Sequence, residues 1–239
     1  MSTVTSNAGV NDFVIKVGNV NGTGSASANE LLMKAIFRMG VPVVGKNIFP
    51  SNIQGLPTWY EVRVSEKGYL GRRGGIDIMV CLNPQSMVKD IQEVEPGGYF
   101  IYDNTKPLDL RLLRDDVTIV GIPLTQICNE QYQDPRQRQL FKNVIYVGAL
   151  AALLDMDFKV LTGLVEDQFK GKEKLVLPNI HALELGHTWV RSNLECPLGV
   201  RVETRERLRV ALAIALADAP HGEVLQQMDQ PPDVIRVDV

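Results

Sequence analysis

The feature that most constrains the fold of this chain is a series of short apolar segments separated by helical patterns. The segments are rich in β-branched and aromatic residues and are predicted strands: residues 13–17, 60–64, 76–82, 99–102 and 117–122. A strand that is apolar at successive positions is buried on both faces, as in a parallel sheet covered by helices. The sequence therefore predicts an α/β fold. We expect a layered, Rossmann-like, mostly parallel sheet flanked by helices, with a C-terminal helical segment.

Helical patterns lie between and after the predicted strands. Residues 27–39 carry apolar side chains at four-residue spacing, with Lys34 and Arg38 on the opposite face. Further helices are predicted at residues 84–94, 136–154, 158–169, 179–193 and 205–217. Residues 45–57 contain several glycine, proline and asparagine residues and are predicted to form a long irregular loop.

Composition excludes several classes of protein. The chain has 239 residues, of which 45% are hydrophobic and 22% charged, and its net charge is −3. A net-basic nucleic-acid-binding protein is not expected, and no apolar run approaches the ~20 residues that span a membrane. The cysteines are widely spaced without a CxxC motif, which argues against a metal site or iron–sulfur cluster held by this chain alone. We expect a cytoplasmic protein with a disordered N-terminus (1–12), one domain (13–200), and an extra helix and flexible tail (201–239).

The segment with most bearing on function is residues 17–30, VGNVNGTGSASANE, where a predicted strand meets a predicted helix. Its glycines allow positive φ angles and close approach of a ligand to the backbone. The N–H groups and the dipole at a helix start favour an anion such as a phosphate. Ser27 and Glu30 have the spacing of a capping box that would define the helix start. A tight turn without a ligand remains an equal alternative, and the dinucleotide-binding fingerprint lacks its last glycine or alanine.

A second segment, residues 40–47 (GVPVVGKN), has the glycine and lysine spacing of a phosphate-binding loop. It ends in asparagine instead of serine or threonine and follows a helix instead of a strand, so nucleotide hydrolysis is not predicted. Lys46, beside Asn47, could still donate to a phosphate from the predicted loop. A solvated lysine is the other interpretation.

Other polar groups are weaker candidates. Four basic residues predict a strand hairpin with a cationic rim, either solvated or facing an anion: Arg63, Lys67, Arg72 and Arg73. Arg63 could point into the glycine-rich site. His181, Glu184 and His187 spread around a helix instead of stacking, so no metal site is predicted. Asp103 follows a strand and could contact a ribose or cap a turn.

The motifs together resemble a known family. The runs KVGNVNGTGSASANELLMKAIFRMGVPVVGKNIFPSNIQGLPTWYEVRVS, YLGRRGGIDIMVCLNPQS, GGYFIYDNT and LVEDQFKGKEKLVLPNIHALELG carry the likeness. They are similar to the gamma domain of 2-oxoacid:ferredoxin oxidoreductases, especially the N-terminal gamma domain of the 2-oxoglutarate-type alpha subunit. The resemblance covers residues 13–197.

The resemblance implies an enzyme that decarboxylates a 2-oxoacid, such as 2-oxoglutarate, on thiamine diphosphate. Electrons pass through iron–sulfur clusters to ferredoxin, and an acyl-CoA is released. This chain would be the gamma-type subunit, which closes the active centre and positions coenzyme A. Thiamine diphosphate and the clusters are expected in partner alpha and beta subunits, because this chain has no GDG-type signature and no cysteine cluster.

The resemblance also implies which residues contact coenzyme A. The candidates are Gly22, Thr23, Gly24 and Ser25 at the helix start, with Lys46 and Asn47 across the cleft. No catalytic residue and no metal ligand is expected in this chain. Two other roles stay open: a stand-alone module that binds coenzyme A or another phosphorylated ligand, and an assembly subunit without a catalytic role.

Overall fold

The computed structural model describes residues 9–50, 53, 55–69, 71 and 73–206. The strands are β1 (Asp12–Val20), β2 (Val43–Ile48), β3 (Pro57–Ser65), β4 (Ile76–Cys81), β5 (Val94–Asp103) and β6 (Thr118–Ile122). The helices are α1 (Ser25–Arg38), α2 (Met87–Gln92), α3 (Leu124–Gln131), α4 (Pro135–Leu153), α5 (Phe158–Gln168) and α6 (Glu173–Asn193). Every predicted strand is present, whereas β2 and α3 were not predicted. The predicted helix over 205–217 lies almost entirely outside the described residues.

The strands form one sheet in the order β2-β3-β1-β4-β5-β6. Strands β1, β4, β5 and β6 run parallel, β3 is antiparallel to β1, and β2 is antiparallel to β3. The predicted layered, mostly parallel α/β fold is confirmed. The strand hairpin predicted around Arg63, Lys67, Arg72 and Arg73 is wrong, because β1 lies between β3 and β4 in the sheet. The chain crosses over β1 at this point instead of turning back on itself.

Burial of β1 on both faces follows directly from its sequence. Phe13, Ile15 and Val17 belong to the larger apolar cluster, whereas Val14 belongs to a smaller cluster on the other face. Side chains alternate between the two faces of a strand, so a continuous apolar run supplies both layers. Helices α1, α4, α5 and α6 contribute to the larger cluster, and α2 packs on the opposite face.

Helix α4 is buried around nearly its whole circumference over its last three turns, as expected for a helix that is apolar on all sides. It packs against α6 at a very short distance. A Cβ atom at Gly186 of α6 would lie 2.9 Å from Ala149 N, and a Cβ at Gly148 of α4 would lie 2.8 Å from the Leu183 carbonyl carbon. Only glycine at these two positions permits the approach of the two backbones.

Residues 198–205 return along the body of the protein after α6. The backbone N–H of Leu198 donates to Leu153 O at 2.8 Å, and that of Arg205 donates to Met39 O at 2.8 Å. Asn11 N donates to Arg201 O at 3.1 Å, so residues 9–12 are also attached to this unit. The predictions for residues 1–8 and 207–239 lie outside the described residues. None of the described helices has the length and apolar character needed to cross a bilayer.

Candidate ligand-binding cleft

An open cleft of about 240 Å³ lies where β1 ends and α1 begins, with β2 and β3 forming its other wall. The described residues that line it are uncharged: Val17, Asn19, Asn21, Gly22, Gly24, Ser25, Ala26, Asn29, Asn47, Phe49, Thr58, Trp59 and Tyr60. The cleft therefore contains the predicted glycine-rich turn. Any charge that it accommodates must be stabilised by dipoles and hydrogen bonds.

The turn between β1 and α1 depends on two glycines. Gly22 and Gly24 have φ angles of 87° and 78°, a left-handed conformation that costs energy for other residues. Gly24 is the residue from which the helix begins, so α1 starts at Ser25. The predicted capping box is therefore wrong: Ser27 lies inside the first turn, and Glu30 forms an ion pair with Lys34 at 2.5 Å. The left-handed glycine directs the chain into the helix before Ser27 is reached.

Buried polar side chains hold the turn from behind. Thr23 Oγ1 donates to Val20 O at 2.8 Å. The Asn143 side chain, from α4, donates to Thr23 O at 2.8 Å and accepts from Asn19 Nδ2 at 3.1 Å. The Thr23 side chain thus points into the turn and does not line the cleft, whereas Gly22, Gly24 and Ser25 do. Sequence reasoning missed Asn143 because it lies on a different helix.

Hydrogen bonds from Asn21 attach the far wall of the cleft to the turn. Asn21 N donates to Leu56 O at 2.9 Å, its side chain donates to Ile53 O at 3.3 Å, and Gly55 N donates to Asn21 O at 3.1 Å. Phe49 lines the cleft on the same side and is 50% exposed. The glycine-rich turn and the β2–β3 connection therefore form one continuous rim.

The start of α1 differs electrostatically from other helix starts in the fold. Carboxylates cap three helices: Asp103 accepts from Thr125 N of α3, Asp134 from Arg136 N of α4, and Asp157 from Lys159 N of α5. Helix α1 has no side-chain cap and no acidic residue in its first turn. The positive end of its dipole thus faces the cleft, and no carboxylate in the first turn of α1 offsets it.

Asp103 acts as a cap, so the turn-capping alternative holds for this residue. Burial raises the pKa of its carboxyl, but hydrogen bonds from Thr125 and Thr105 and the charge of Lys142 outweigh this, and its pKa lies below the ordinary value. The carboxylate is thus held ionised by the start of α3.

The structure brings Asn47 to the cleft but not Lys46. Both belong to β2, which pairs with β3, so the prediction of an irregular loop over residues 45–57 is wrong at both of its ends. Successive residues of a strand face opposite sides of the sheet. Asn47 lines the cleft, while Lys46 lies on the other face, in register with Glu61. Gly45 allows β2 to pack closely against α1, because a Cβ at Gly45 would lie 2.7 Å from Met33 Sδ.

That other face carries a buried polar cluster that sequence reasoning missed. Asp90 of α2 is fully buried and accepts from Trp59 Nε1 at 2.8 Å and from Ser86 Oγ at 2.7 Å. Burial raises the pKa of Asp90 despite these hydrogen bonds. A Cβ at Gly18 would lie 2.6 Å from Asp90 Oδ2, so glycine at this position makes room for the cluster. The contributing residues are too far apart in sequence to form a recognisable motif.

Arg63 does not point into the cleft. It lies near the far end of β3, paired with Val14, where it forms an ion pair with Asp12 at 2.5 Å and donates to Phe13 O at 3.3 Å. Neighbouring Arg72 lies outside the described residues. His187 packs on the Phe158 ring, and the described part of the chain contains no cluster of possible metal ligands.

Comparison with known proteins identifies the family. The family model for pyruvate ferredoxin/flavodoxin oxidoreductase matches residues 14–189, which is most of the chain. This chain belongs to that oxidoreductase family. Among its curated relatives, subunit alpha of 2-oxoacid:ferredoxin oxidoreductase 2 from Aeropyrum pernix is 24% identical over 75% of this chain and 34% of that subunit. Subunit KorC of 2-oxoglutarate synthase from Methanocaldococcus jannaschii is 30% identical over 34% of this chain and 41% of KorC.

Solved structures share the fold of this family member. The 2-oxoglutarate:ferredoxin oxidoreductase from Magnetococcus marinus, solved with 2-oxoglutarate, coenzyme A and succinyl-CoA bound, matches with a TM-score of 0.71 at 24% identity. The match covers 82% of this chain and 34% of that one. Subunit PORC of the Thermotoga maritima pyruvate oxidoreductase matches over 75% of this chain and 97% of PORC, with a TM-score of 0.60 and 17% identity. The chain thus spans about a third of the longer relatives and nearly all of PORC.

Proposed function

We propose that this chain is a gamma-type subunit of a 2-oxoacid:ferredoxin oxidoreductase and that its cleft binds part of coenzyme A. Family membership and relatives that are subunits of such enzymes support the subunit role. The observation that carries the coenzyme A assignment is the uncapped start of α1 at the floor of an open cleft. Gly22, Gly24, Ser25 and Asn47 border this cleft.

The chemistry of the cleft suits part of a phosphorylated cofactor. Helix N–H groups and the helix dipole stabilise phosphate oxygens, and the absence of a side chain at Gly24 lets a ligand approach the backbone. Ligand pockets commonly measure roughly 300–1,000 Å³, so a cleft of about 240 Å³ takes one segment of a long cofactor. The rest of coenzyme A would extend beyond the rim, towards the subunit that carries the reacting centre.

In the proposed reaction, this chain binds and orients coenzyme A. Thiamine diphosphate supplies the decarboxylation chemistry and iron–sulfur clusters supply electron transfer, and we assign both groups to partner alpha and beta subunits, with ferredoxin as the acceptor of the complex. Burial raises the pKa of the Cys81 thiol, and it raises that of Cys128 to about 11, so neither favours the thiolate that a cluster requires. The proposed substrate is 2-oxoglutarate, the 2-oxoacid in the names of two similar proteins.

The test is reconstitution with the partner subunits and measurement of 2-oxoacid-dependent reduction of an electron acceptor. We expect that, when this chain is omitted, the rate of acceptor reduction no longer depends on coenzyme A. Equal activity with and without the chain would contradict the proposed role. Binding of coenzyme A by a chain that does not associate with the partners would favour a stand-alone module.

Ala26 offers a sharp variant, because it is exposed, lines the cleft and lies in the first turn of α1. Ala26→Glu places a carboxylate where it favours the helix but repels a phosphate. We expect the KM for coenzyme A to rise at least about tenfold, equivalent to about 1.4 kcal/mol. Ala26→Gln is the matched control of the same length and should have a much smaller effect. Equal KM values for the two variants would place coenzyme A elsewhere.

A further inference from the structure

Strand β2 forms an open edge of the sheet. Within the described part of the chain it pairs with β3 on one side and with no strand on the other. None of its six residues is fully buried, whereas eight of the nine residues of β3 are. An edge strand with free N–H and C=O groups is a template for a further strand, unless proline, a bulge or inward-pointing charges block it.

The hydrogen bonds of β2 show which of its backbone groups point away from the sheet. Pro42 O, just before the strand, accepts from Ser65 N at 3.0 Å, and Ile48 O accepts from Thr58 Oγ1 at 3.2 Å. The even-numbered positions thus face β3, and in an antiparallel ladder alternate residues face opposite sides. None of the outward groups is hydrogen-bonded to a residue that the structure describes. They belong to three positions: Val43, Gly45 and Asn47.

These three positions are symmetric about Gly45. A two-fold axis through Gly45 would place a second, antiparallel β2 strand against the first. Gly45 would then pair with its own copy, and Val43 with Asn47 of the other copy. Each of these pairs would exchange two backbone hydrogen bonds, so every outward group would find a partner. An axis through Val43 or Asn47 would instead place Gly45 opposite a residue outside the strand.

The side chains of β2 suit the same register. Lys46 lies on the sheet face that also carries Glu61, and in this register it would lie opposite Val44 of the other copy. No two lysines would face each other directly, which matters because like charges in opposite positions destabilise a strand pair. The charged side chain of β2 therefore does not oppose pairing with a second copy.

Helix α1 adds an apolar flank with balanced charges beside this edge. Met33 lies against β2 at Gly45, and Phe37 follows one helical turn later; both are half-buried. Glu30 and Lys34 form an ion pair beside Met33. With Met33 near the axis, the two α1 helices would run antiparallel. Glu30 of one copy would then lie within about 3 Å, measured along the helix, of the level of Lys34 of the other.

We infer that two copies of this chain associate through the outer edge of β2 and join their six-stranded sheets into one continuous sheet. The inference is independent of the coenzyme A assignment. The interface consists of one strand and the flank of one helix from each copy. It therefore belongs to the small class of interfaces, below about 1,200 Å² in total, and the dimer should dissociate on dilution.

The first test is sedimentation of the full chain over a range of concentrations, where the mass should rise from monomer to dimer. Val43→Pro removes an outward N–H but none of the hydrogen bonds to β3, and proline is tolerated in edge strands. We expect it to raise the Kd of the dimer at least about tenfold. Val43→Ala is the matched control: it also shortens the side chain but keeps the N–H, and should change the Kd less than about threefold.

The second test fixes the register by cross-linking. Opposite residues of a non-hydrogen-bonded pair have Cα atoms about 4.5 Å apart, which a disulfide can span. The double variant Val44→Cys/Lys46→Cys should therefore form a covalent dimer on mild oxidation, visible on a non-reducing gel. Either single variant should remain uncross-linked, because its cysteine would lie about 7 Å further along the strand from its own copy. The single variants also control for the three native cysteines.

The inference is supported if Val43→Pro shifts the full chain towards monomer and the double-cysteine variant alone cross-links. A full chain that stays monomeric at every concentration would overturn it and leave the edge to another occupant, such as a partner subunit. A dimer that is indifferent to Val43→Pro and does not cross-link would place self-association on another surface. If Val43→Pro does not fold, as judged by circular dichroism, the cross-linking result decides.

Discussion

Helices α4 and α6 touch through backbone atoms at Gly148 and Gly186, so Gly186→Ala tests the packing of the core directly. The added Cβ would lie 2.9 Å from Ala149 N and closer still to the Ile145 carbonyl oxygen. These neighbours are helix backbone and cannot rotate away. To restore a C···O separation of roughly 3.3 Å, α6 must move outward by more than about 1 Å.

The magnitude follows from two opposing effects. Overpacking a rigid site costs about 1–3 kcal/mol, and the upper end applies here because backbone is struck. Alanine also gains about 1 kcal/mol of helix propensity over glycine. The net expectation for Gly186→Ala is a loss of about 2 kcal/mol in the free energy of unfolding. In a domain of this size, that corresponds to a melting temperature lower by roughly 4–8 °C.

The chain supplies a matched control in Gly163 of α5. A Cβ at Gly163 has no neighbour within 4 Å, so Gly163→Ala should show the propensity gain alone, about 0.5–1 kcal/mol of stabilisation. Thermal and urea unfolding followed by circular dichroism measure both variants. The reasoning is refuted if Gly186→Ala is as stable as Gly163→Ala. The effects of Gly148→Ala and Gly186→Ala should also be less than additive, because either one separates the two helices.

Two further substitutions test carboxylates that accept hydrogen bonds. Asp90→Ala removes the acceptor of the buried Trp59 Nε1–H and should lower the free energy of unfolding in urea by about 1–3 kcal/mol. Asp90→Asn retains an acceptor and should lower it less. Equal stability of the alanine variant and the unmodified protein would contradict this. Asp103→Asn should cost roughly 0.3–1 kcal/mol near pH 7, because it removes the negative charge that accepts from Thr125 N at the positive end of the α3 dipole. Since hydrogen bonding lowers the folded-state pKa of Asp103, its stabilisation is complete above the unfolded value near 3.8 and is lost as the pH falls through the folded value. Melting temperatures of the two proteins should therefore converge in acid, and a constant difference at every pH would argue against the cap.

Much of the fold was predictable because its signals are local. The five predicted strands carry runs of apolar residues that are buried wherever the sheet places them. Strand β2 was missed because Gly45, Lys46 and Asn47 disfavour a strand, and pairing with β3 outweighs that preference. Helix α3 was missed because its cap, Asp103, comes from the end of β5. Both misses concern elements that are stabilised by residues distant in the chain.

The features of the cleft were likewise predicted only where their signals are local. The glycine spacing predicted a turn with exposed N–H groups, and the turn is present with left-handed Gly22 and Gly24. Nothing local distinguished Asn29, which lines the cleft and accepts a hydrogen bond from Tyr146, a residue 117 positions away. Lys46 was a reasonable candidate within a loop, but on a strand it faces the opposite side of the sheet from Asn47.

The sequence by itself determined the class of fold, the family and the glycine-rich turn between β1 and α1, because apolar periodicity and glycine conformation act over a few residues. The tertiary structure decided which side chains meet at that junction. Hydrogen bonds and backbone contacts such as Asn29 with Tyr146, or Gly186 with Ile145, require two distant segments to arrive in one place. Their energies exist only after the whole sheet and its helices have assembled.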